Sequence, residues 1–136
     1  MGIDIEQERT LADMMSIAGR FFSTAEAREL ATLSGEQRAH AFHRCWARKE
    51  AYIKALGLGL SLPLESFRVS LLPGEPASLK EILGSPGLEA EWLIQDLPVT
   101  DGYAAALAVR SREIELWTSP VLNAAELTSM MGARQI

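Results

Sequence analysis

The chain has 136 residues, 48% of them hydrophobic and 23% charged, which is typical of one globular domain with an ordinary core. A net charge of −5 argues against a broad nucleic-acid surface. The sequence has no run of about 18 apolar residues, and its N-terminal composition predicts no signal peptide. We therefore expect a cytoplasmic protein that binds no nucleic acid and no membrane. The single cysteine, Cys45, excludes an internal disulfide.

The chain begins with a segment, Gly2 to Glu6, in which isoleucines alternate with carboxylates. In a strand, Ile3 and Ile5 would enter a core while Asp4 and Glu6 share the other face. Two carboxylates on one face repel each other unless a cation or a proton lies between them, and oxygen ligands of this kind suit Mg²⁺. From the alternation alone, a solvated acidic face is the more ordinary interpretation.

Hydrophobic spacing and capping signals predict three helices before a group of later strands. Helical spacing covers residues 11–22, Ser23 and Glu26 form a capping box that opens a short helix to about Leu33, and a long helix follows over residues 36–56, with Gly57 at its C-terminal cap. Strands are predicted at 66–72, 90–97 and 103–110, and a short helix at 124–131. This order predicts an α+β fold, with a sheet of about four strands packed on three helices.

The long helix contains one residue that an ordinary amphipathic helix explains poorly. Its apolar stripe consists of Phe42, Cys45, Trp46, Tyr52, Ile53 and Leu56. Lys49 projects into the middle of this stripe, where a buried ammonium is costly unless it meets an anion. Arg48, about 100° away around the helix, is expected to face solvent.

A second line of polar residues, His43, Glu50 and Lys54, runs beside the stripe. Glu50 and Lys54 stand four residues apart, in the favourable order for a surface ion pair. Taken alone, such a pair is more often helix decoration than catalytic machinery.

Together these segments resemble the 4′-phosphopantetheinyl transferase superfamily. Its members share a Gly-(Ile/Val)-Asp-x-Glu strand, here residues 2–6, and a Trp-x-x-Lys-Glu-x-x-x-Lys helix, here residues 46–54, followed by a glycine-spaced turn. The connector Arg-Phe-Phe-Ser with a later Glu, here residues 20–26, also matches. Leu60-Ser61-Leu62-Pro63-Leu64 and Phe67 resemble the Sfp type more than the short holo-acyl-carrier-protein synthase type.

The resemblance implies an enzyme that moves 4′-phosphopantetheine from coenzyme A to a serine of an acyl or peptidyl carrier protein, releasing adenosine 3′,5′-bisphosphate. It implies that Asp4, Glu6 and Glu50 ligate Mg²⁺ (or Mn²⁺). Lys49 and Lys54 would contact phosphate oxygens of coenzyme A, with Lys54 as a candidate proton donor to the leaving group. Glu50 is the candidate base for the carrier serine.

The chain departs from the Sfp type in length, since those enzymes have two similar halves and an active site between them. It resembles only their second, metal-binding half, with a transferase domain at 1–120 and a tail at 121–136. One hypothesis is therefore an active homo-oligomer, a dimer or trimer with its cleft between copies. The alternatives are an incomplete half-enzyme that binds coenzyme A or a partner chain without turnover, and a structural interaction domain, which leaves Lys49 unexplained.

Overall fold

The computed structural model describes residues 1–9, 11–57 and 62–110. The chain runs through β1 (Gly2–Gln7), α1 (Met14–Phe21), α2 (Thr24–Ala31), α3 (Gly35–Leu56), β2 (Phe67–Val69), β3 (Leu79–Ile82), β4 (Trp92–Asp96) and β5 (Tyr103–Arg110), with short 3₁₀ turns at Leu64–Ser66 and Leu88–Glu91. The predicted α+β class is confirmed. None of the described helices is long and apolar enough to cross a membrane. The predicted tail at 121–136, with its helix at 124–131, lies outside the described residues.

The described strands form two antiparallel sheets. The larger has the order β1-β5-β4, and the smaller pairs β2 with β3. In the larger sheet Asp4 lies opposite Ala106 and Glu6 lies opposite Ala104. Small side chains on β5 therefore flank both carboxylates and leave room for the helix that covers this face.

The long helix α3 lies across β1 and β5, and Gly2 allows the closest part of this contact. A Cβ atom built on Gly2 would lie 2.0 Å from the backbone oxygen of Ala51 and 2.4 Å from the backbone nitrogen of Ala55. Such distances are far below van der Waals contact, so only glycine permits this approach of strand and helix. The first motif thus begins with glycine for a packing reason.

The alternation in β1 is confirmed, but the prediction of which face enters the core is wrong. Asp4 is only 1% exposed, whereas Ile3 and Ile5 are half-buried and do not belong to the main hydrophobic cluster. The core lies on the same side of β1 as Asp4, because Gly2 brings that side against α3. The acidic residues consequently lie between strand and helix.

The predicted helix signals are confirmed in most details. Ser23 and Glu26 form both bonds of the capping box, at 3.2 and 2.9 Å, and Gly57 ends α3 in a left-handed conformation with φ of 70°. Ser34 precedes α3 but makes no side-chain cap bond. The sequence patterns missed the short strand β3, whose Leu79–Ile82 segment lacks a clear alternation.

Candidate active site

One groove brings together residues from both predicted motifs. It has a volume of about 420 Å³ and lies between β1, α1 and α3. Its lining comprises Asp4, Glu6, Gln7, Arg9, Leu11, Ile17, Phe42, His43, Trp46, Glu50 and Lys54. Four of the five predicted site residues are in this set, namely Asp4, Glu6, Glu50 and Lys54.

An ion pair joins the two motifs across the groove. The Lys54 ammonium donates to Asp4 Oδ1 at 2.7 Å, with the lysine side chain 38% exposed and the Asp4 side chain almost fully buried. Lys54 lies near the C-terminal end of α3, so its ammonium extends to β1 rather than back along the helix to Glu50. The predicted Glu50–Lys54 surface pair is thus replaced by a pair between strand and helix.

The other two carboxylates in the groove hold protons more tightly than free glutamates do. Burial and the neighbouring carboxylates of Asp4 and Glu50 raise the pKa of Glu6 to about 8, against a smaller opposing effect of Lys54. Burial and the charge of Asp4 also raise the pKa of Glu50. The groove therefore holds more carboxylate than its single lysine neutralises.

These features fit a divalent cation chemically, although a complete coordination shell is not prearranged. Within the described ranges no group of three or more His, Cys, Asp or Glu side chains is arranged to hold a metal ion. However, Asp4 Oδ2 is buried and has no hydrogen-bond partner among the described residues. A buried oxygen of this kind, beside two carboxylates of raised pKa, is the donor chemistry that a hard ion such as Mg²⁺ prefers.

His43 is buried in the wall of the groove rather than free on the surface. Its Nδ1 lies 2.8 Å from the Ala39 carbonyl oxygen, and its Nε2 accepts the backbone N–H of Arg9 at 3.4 Å. Both contacts are satisfied together when the proton is on Nδ1, the tautomer that donates to the carbonyl. His43 therefore connects α3 to the segment that follows β1.

Lys49 lies on the other side of α3, and the predicted phosphate contact does not agree with its position. The side chain is fully buried, and its ammonium contacts Glu26 Oε1 at 2.9 Å and the carbonyl oxygens of Leu64 and Phe67, both at 2.6 Å. An ammonium has three donors, and all three are used here. The anion that the buried Lys49 ammonium requires is Glu26, and Lys49 is not in the lining of the groove.

Glu26 joins three elements and was identified from sequence only as a capping residue. Its Oε1 accepts from Ser23 N–H and from Lys49, and its Oε2 accepts the Val69 N–H at 2.7 Å. It thereby ties α2 and α3 to β2. The pairing could have been suspected from Lys49, since a buried ammonium needs an acidic partner.

The prediction that Arg48 faces solvent is wrong. Arg48 is 2% exposed and forms a bidentate pair with Asp96, at 2.8 and 2.6 Å, while Nη1 donates to the Ser70 carbonyl oxygen at 2.6 Å. The helix is covered on this side by β4 and by the segment after β2.

Cys45, as expected, is a buried thiol, and burial raises its pKa well above the usual value.

Comparison with known proteins identifies the family. The family model of the 4′-phosphopantetheinyl transferase superfamily matches residues 1–108. The 4′-phosphopantetheinyl transferase HetI of Nostoc is 39% identical over 109 residues, covering 80% of this chain and 43% of HetI. The corresponding enzyme Sfp of Bacillus subtilis is 35% identical over 107 residues, covering 79% and 45%. This chain belongs to the 4′-phosphopantetheinyl transferase superfamily, and its relatives include the Sfp type.

Solved structures of short synthases share the fold. The holo-(acyl-carrier-protein) synthase of Thermotoga maritima superposes with a TM-score of 0.59 and 26% identity, covering 80% of this chain and 61% of that one. The Helicobacter pylori synthase, solved in complex with coenzyme A, gives a TM-score of 0.57 at 21% identity, covering 81% and 98%. The chain thus spans less than half the length of HetI and Sfp but nearly all of the Helicobacter synthase.

Proposed function

We propose that the chain transfers 4′-phosphopantetheine from coenzyme A to a serine of an acyl or peptidyl carrier protein, releasing adenosine 3′,5′-bisphosphate. The observation that carries the proposal is the groove that unites Asp4, Glu6, Glu50 and Lys54. Family membership supports the reaction class. Phosphoryl transfer requires positioning and charge neutralisation more than covalent chemistry, and this groove offers both signs of charge.

Asp4, Glu6 and Glu50 would hold the metal, for which we propose Mg²⁺ (or Mn²⁺). When bound, the ion would neutralise charge on the pyrophosphate of coenzyme A. The unpartnered Asp4 Oδ2 and the raised pKa values of the two glutamates support this assignment.

The remaining chemistry is assigned to two residues of α3. The carrier serine oxygen attacks the phosphorus that bears the pantetheine arm, the bond to the bridging pyrophosphate oxygen breaks, and that oxygen leaves with adenosine 3′,5′-bisphosphate. Glu50 accepts the serine proton, since a carboxylate of raised pKa is a stronger base once ionised. Lys54, whose ammonium is partly exposed, stabilises or protonates the leaving oxygen.

The test is mass spectrometry of an apo carrier protein incubated with this chain, coenzyme A and Mg²⁺. Transfer adds one phosphopantetheine group to the carrier, and the addition should require metal. A carrier of unchanged mass in the presence of a folded chain that binds coenzyme A would contradict turnover.

A second candidate is a half-enzyme that binds coenzyme A or a partner chain without turnover. The chain covers only 43% of HetI and 45% of Sfp, so residues that those proteins contribute from elsewhere have no counterpart within it. The active alternative is a homo-oligomer, in which a second copy supplies the missing wall. Binding of coenzyme A without change in the carrier would favour the half-enzyme.

A further inference from the structure

The groove contains a cation that belongs to the chain itself. The Lys54 ammonium donates to Asp4 Oδ1 at 2.7 Å, and the Asp4 side chain is only 1% exposed. A buried carboxylate needs a positive partner or a full set of hydrogen bonds. Among the described residues, Lys54 is the ion-pair partner of Asp4. The lysine therefore neutralises the same carboxylate to which we assign the metal.

The two oxygens of Asp4 are satisfied unequally by this pair. Oδ1 accepts from Lys54, whereas Oδ2 is buried and has no hydrogen-bond partner among the described residues. A buried acceptor without a partner is costly, so the ammonium leaves half of the carboxylate unsatisfied. A divalent cation at this carboxylate supplies more charge than the ammonium does, and carboxylate oxygens are the ligands that Mg²⁺ prefers.

The surroundings of Lys54 allow its ammonium to change partners. Its side chain is 38% exposed, and Asp4 Oδ1 is its one acceptor among the described residues, so two of its three donors remain available. Lys49, the other lysine of α3, is fully buried and uses all three donors on Glu26 and two backbone carbonyl oxygens. Lys54 can therefore leave its acceptor without stranding a buried charge, whereas Lys49 cannot.

We propose that the Lys54–Asp4 pair is an autoinhibitory contact that opens when a divalent cation binds Asp4 and thereby releases the Lys54 ammonium to the phosphates of coenzyme A. The inference rests on the proposed function, which places the metal at Asp4 and phosphate near Lys54. An ammonium and a divalent cation on one carboxylate repel each other. Phosphate oxygens then offer Lys54 a charged acceptor in place of Asp4. The metal consequently binds before coenzyme A.

Calorimetric titration with Mg²⁺, in the absence of coenzyme A, tests the competition directly. Lys54→Met removes the competing cation and should lower the Kd for Mg²⁺ about tenfold. Lys54→Arg keeps the charge, but a guanidinium can hold both Asp4 oxygens in a bidentate pair, so the Kd should rise about tenfold. Lys80→Met is the control, because Lys80 pairs with Glu75 outside the groove lining, and it should leave the Kd unchanged.

The order of the Kd values separates competition at Asp4 from a simple effect of charge. Equal values for the unaltered chain and Lys54→Arg would mean that only the net charge matters, and would overturn the proposal. The same comparison decides the matter if Lys54→Met fails to fold. Unchanged values in a folded Lys54→Met variant would likewise overturn it.

A crystal structure of the unaltered chain with Mg²⁺ and without coenzyme A provides the second measurement. The Lys54 Nζ should lie more than about 4 Å from Asp4 Oδ1, beyond the reach of an ion pair. An intact pair beside the bound metal would refute the release. Transfer to a carrier protein by a chain that keeps this pair would overturn the autoinhibitory contact alone and leave the proposed function standing. An unaltered chain that binds no Mg²⁺ would instead refute the proposed metal site together with this inference.

Discussion

At the residue scale, we expect the buried pair of Lys49 and Glu26 to affect the stability of the fold and not the binding of coenzyme A. Both side chains are fully buried, so removing one leaves the other charge uncompensated. Lys49→Ala should lower the free energy of unfolding by about 3–5 kcal/mol, measured by urea denaturation. Lys80→Ala is the control, since Lys80 and Glu75 form a pair with each side chain 28% exposed, and exposed pairs contribute about 0–1 kcal/mol.

The double variant Glu26→Gln with Lys49→Met distinguishes a structural role of Lys49 from a role in binding coenzyme A. It removes both charges and fills each position with a neutral side chain of similar size. We therefore expect it to recover part of the stability lost in Lys49→Ala. Its affinity for coenzyme A should equal that of the unaltered chain. Selective loss of coenzyme A affinity in a stable double variant would return Lys49 to the binding site.

Glu50→Gln tests the proposed base and metal ligand with little change in size. Glutamate and glutamine have similar helix propensities, so the thermal unfolding midpoint should change little. Transfer to the carrier should fall by about two to four orders of magnitude, the usual contribution of a positioned acid–base group. Glu36→Gln, an exposed change in the first turn of the same helix, is the control. Transfer at the parent rate by Glu50→Gln would exclude Glu50 from the reaction.

The raised pKa of Glu6 predicts a pH dependence of metal binding. With a folded pKa of about 8 against an ordinary 4.5, Glu6 carries a proton at pH 7 in the metal-free protein and must lose it to become a ligand. Mg²⁺ affinity should therefore rise between pH 6.5 and 9, with proton release visible as a buffer-dependent heat in calorimetry. A pH-independent affinity would exclude Glu6 as a ligand.

The raised pKa of Glu6 also determines how the stability of the folded protein changes with pH. The folded pKa of Glu6 exceeds the unfolded one, so its contribution is fully present below about pH 4.5 and is lost as the pH rises through about 8. Within this window the metal-free protein should become less stable as the pH rises. Added Mg²⁺ should oppose the loss, because it binds the ionised folded form.

At the element scale, the contact of β1 with α3 depends on Gly2. Gly2→Ala would place a methyl group 2.0 Å from the Ala51 backbone oxygen, so the strand must shift and the distance between Asp4 and Lys54 must change. We expect a loss of about 1–3 kcal/mol of stability, as for overpacking of a core, together with loss of transfer. Gly19→Ala in α1 has nothing within 4 Å of the added Cβ and should stabilise by about 0.5–1 kcal/mol.

The sequence patterns predicted which residues share a face better than which face is buried. Alternation correctly grouped Asp4 with Glu6, but a period of two residues does not say which side meets the helix. The close approach at Gly2 decides that, and it is a tertiary contact. The same limit applies to α3, where Lys49 was correctly predicted to be buried while Arg48 was wrongly assigned to solvent, because its partners Asp96 and Ser70 lie more than twenty residues later.

The sequence motifs named four residues that the structure brings into one groove, but they did not predict the walls of that groove. Asp4, Glu6, Glu50 and Lys54 belong to short patterns that a sequence displays directly. Leu11, Ile17 and Arg9 meet the groove only because α1 folds back beside α3, and nothing in their local spacing distinguishes them from ordinary amphipathic residues. Such wall residues become visible only when the tertiary arrangement is known.

At the scale of the whole molecule, the proposed function would require a second wall for the nucleotide end of coenzyme A. The chain spans less than half of HetI and Sfp, and among the described strands β1 pairs only with β5. Among the residues that the structure describes, the other edge of β1 is therefore unpaired and available to a further chain. We expect a dimer or trimer with the carboxylates of the groove near the boundary between copies.

A stable interface of this kind should bury at least about 1,000 Å² in total. Sedimentation velocity at micromolar concentration should then show a dimer or trimer without monomer. If copies complete one another's sites, the specific transfer activity should fall on dilution below the dissociation constant, since dissociated copies lack the second wall. Full activity from a strict monomer would contradict shared sites. A monomer that binds coenzyme A but transfers nothing would instead identify the chain as a half-enzyme, whose groove holds the metal and pyrophosphate but needs another chain for turnover.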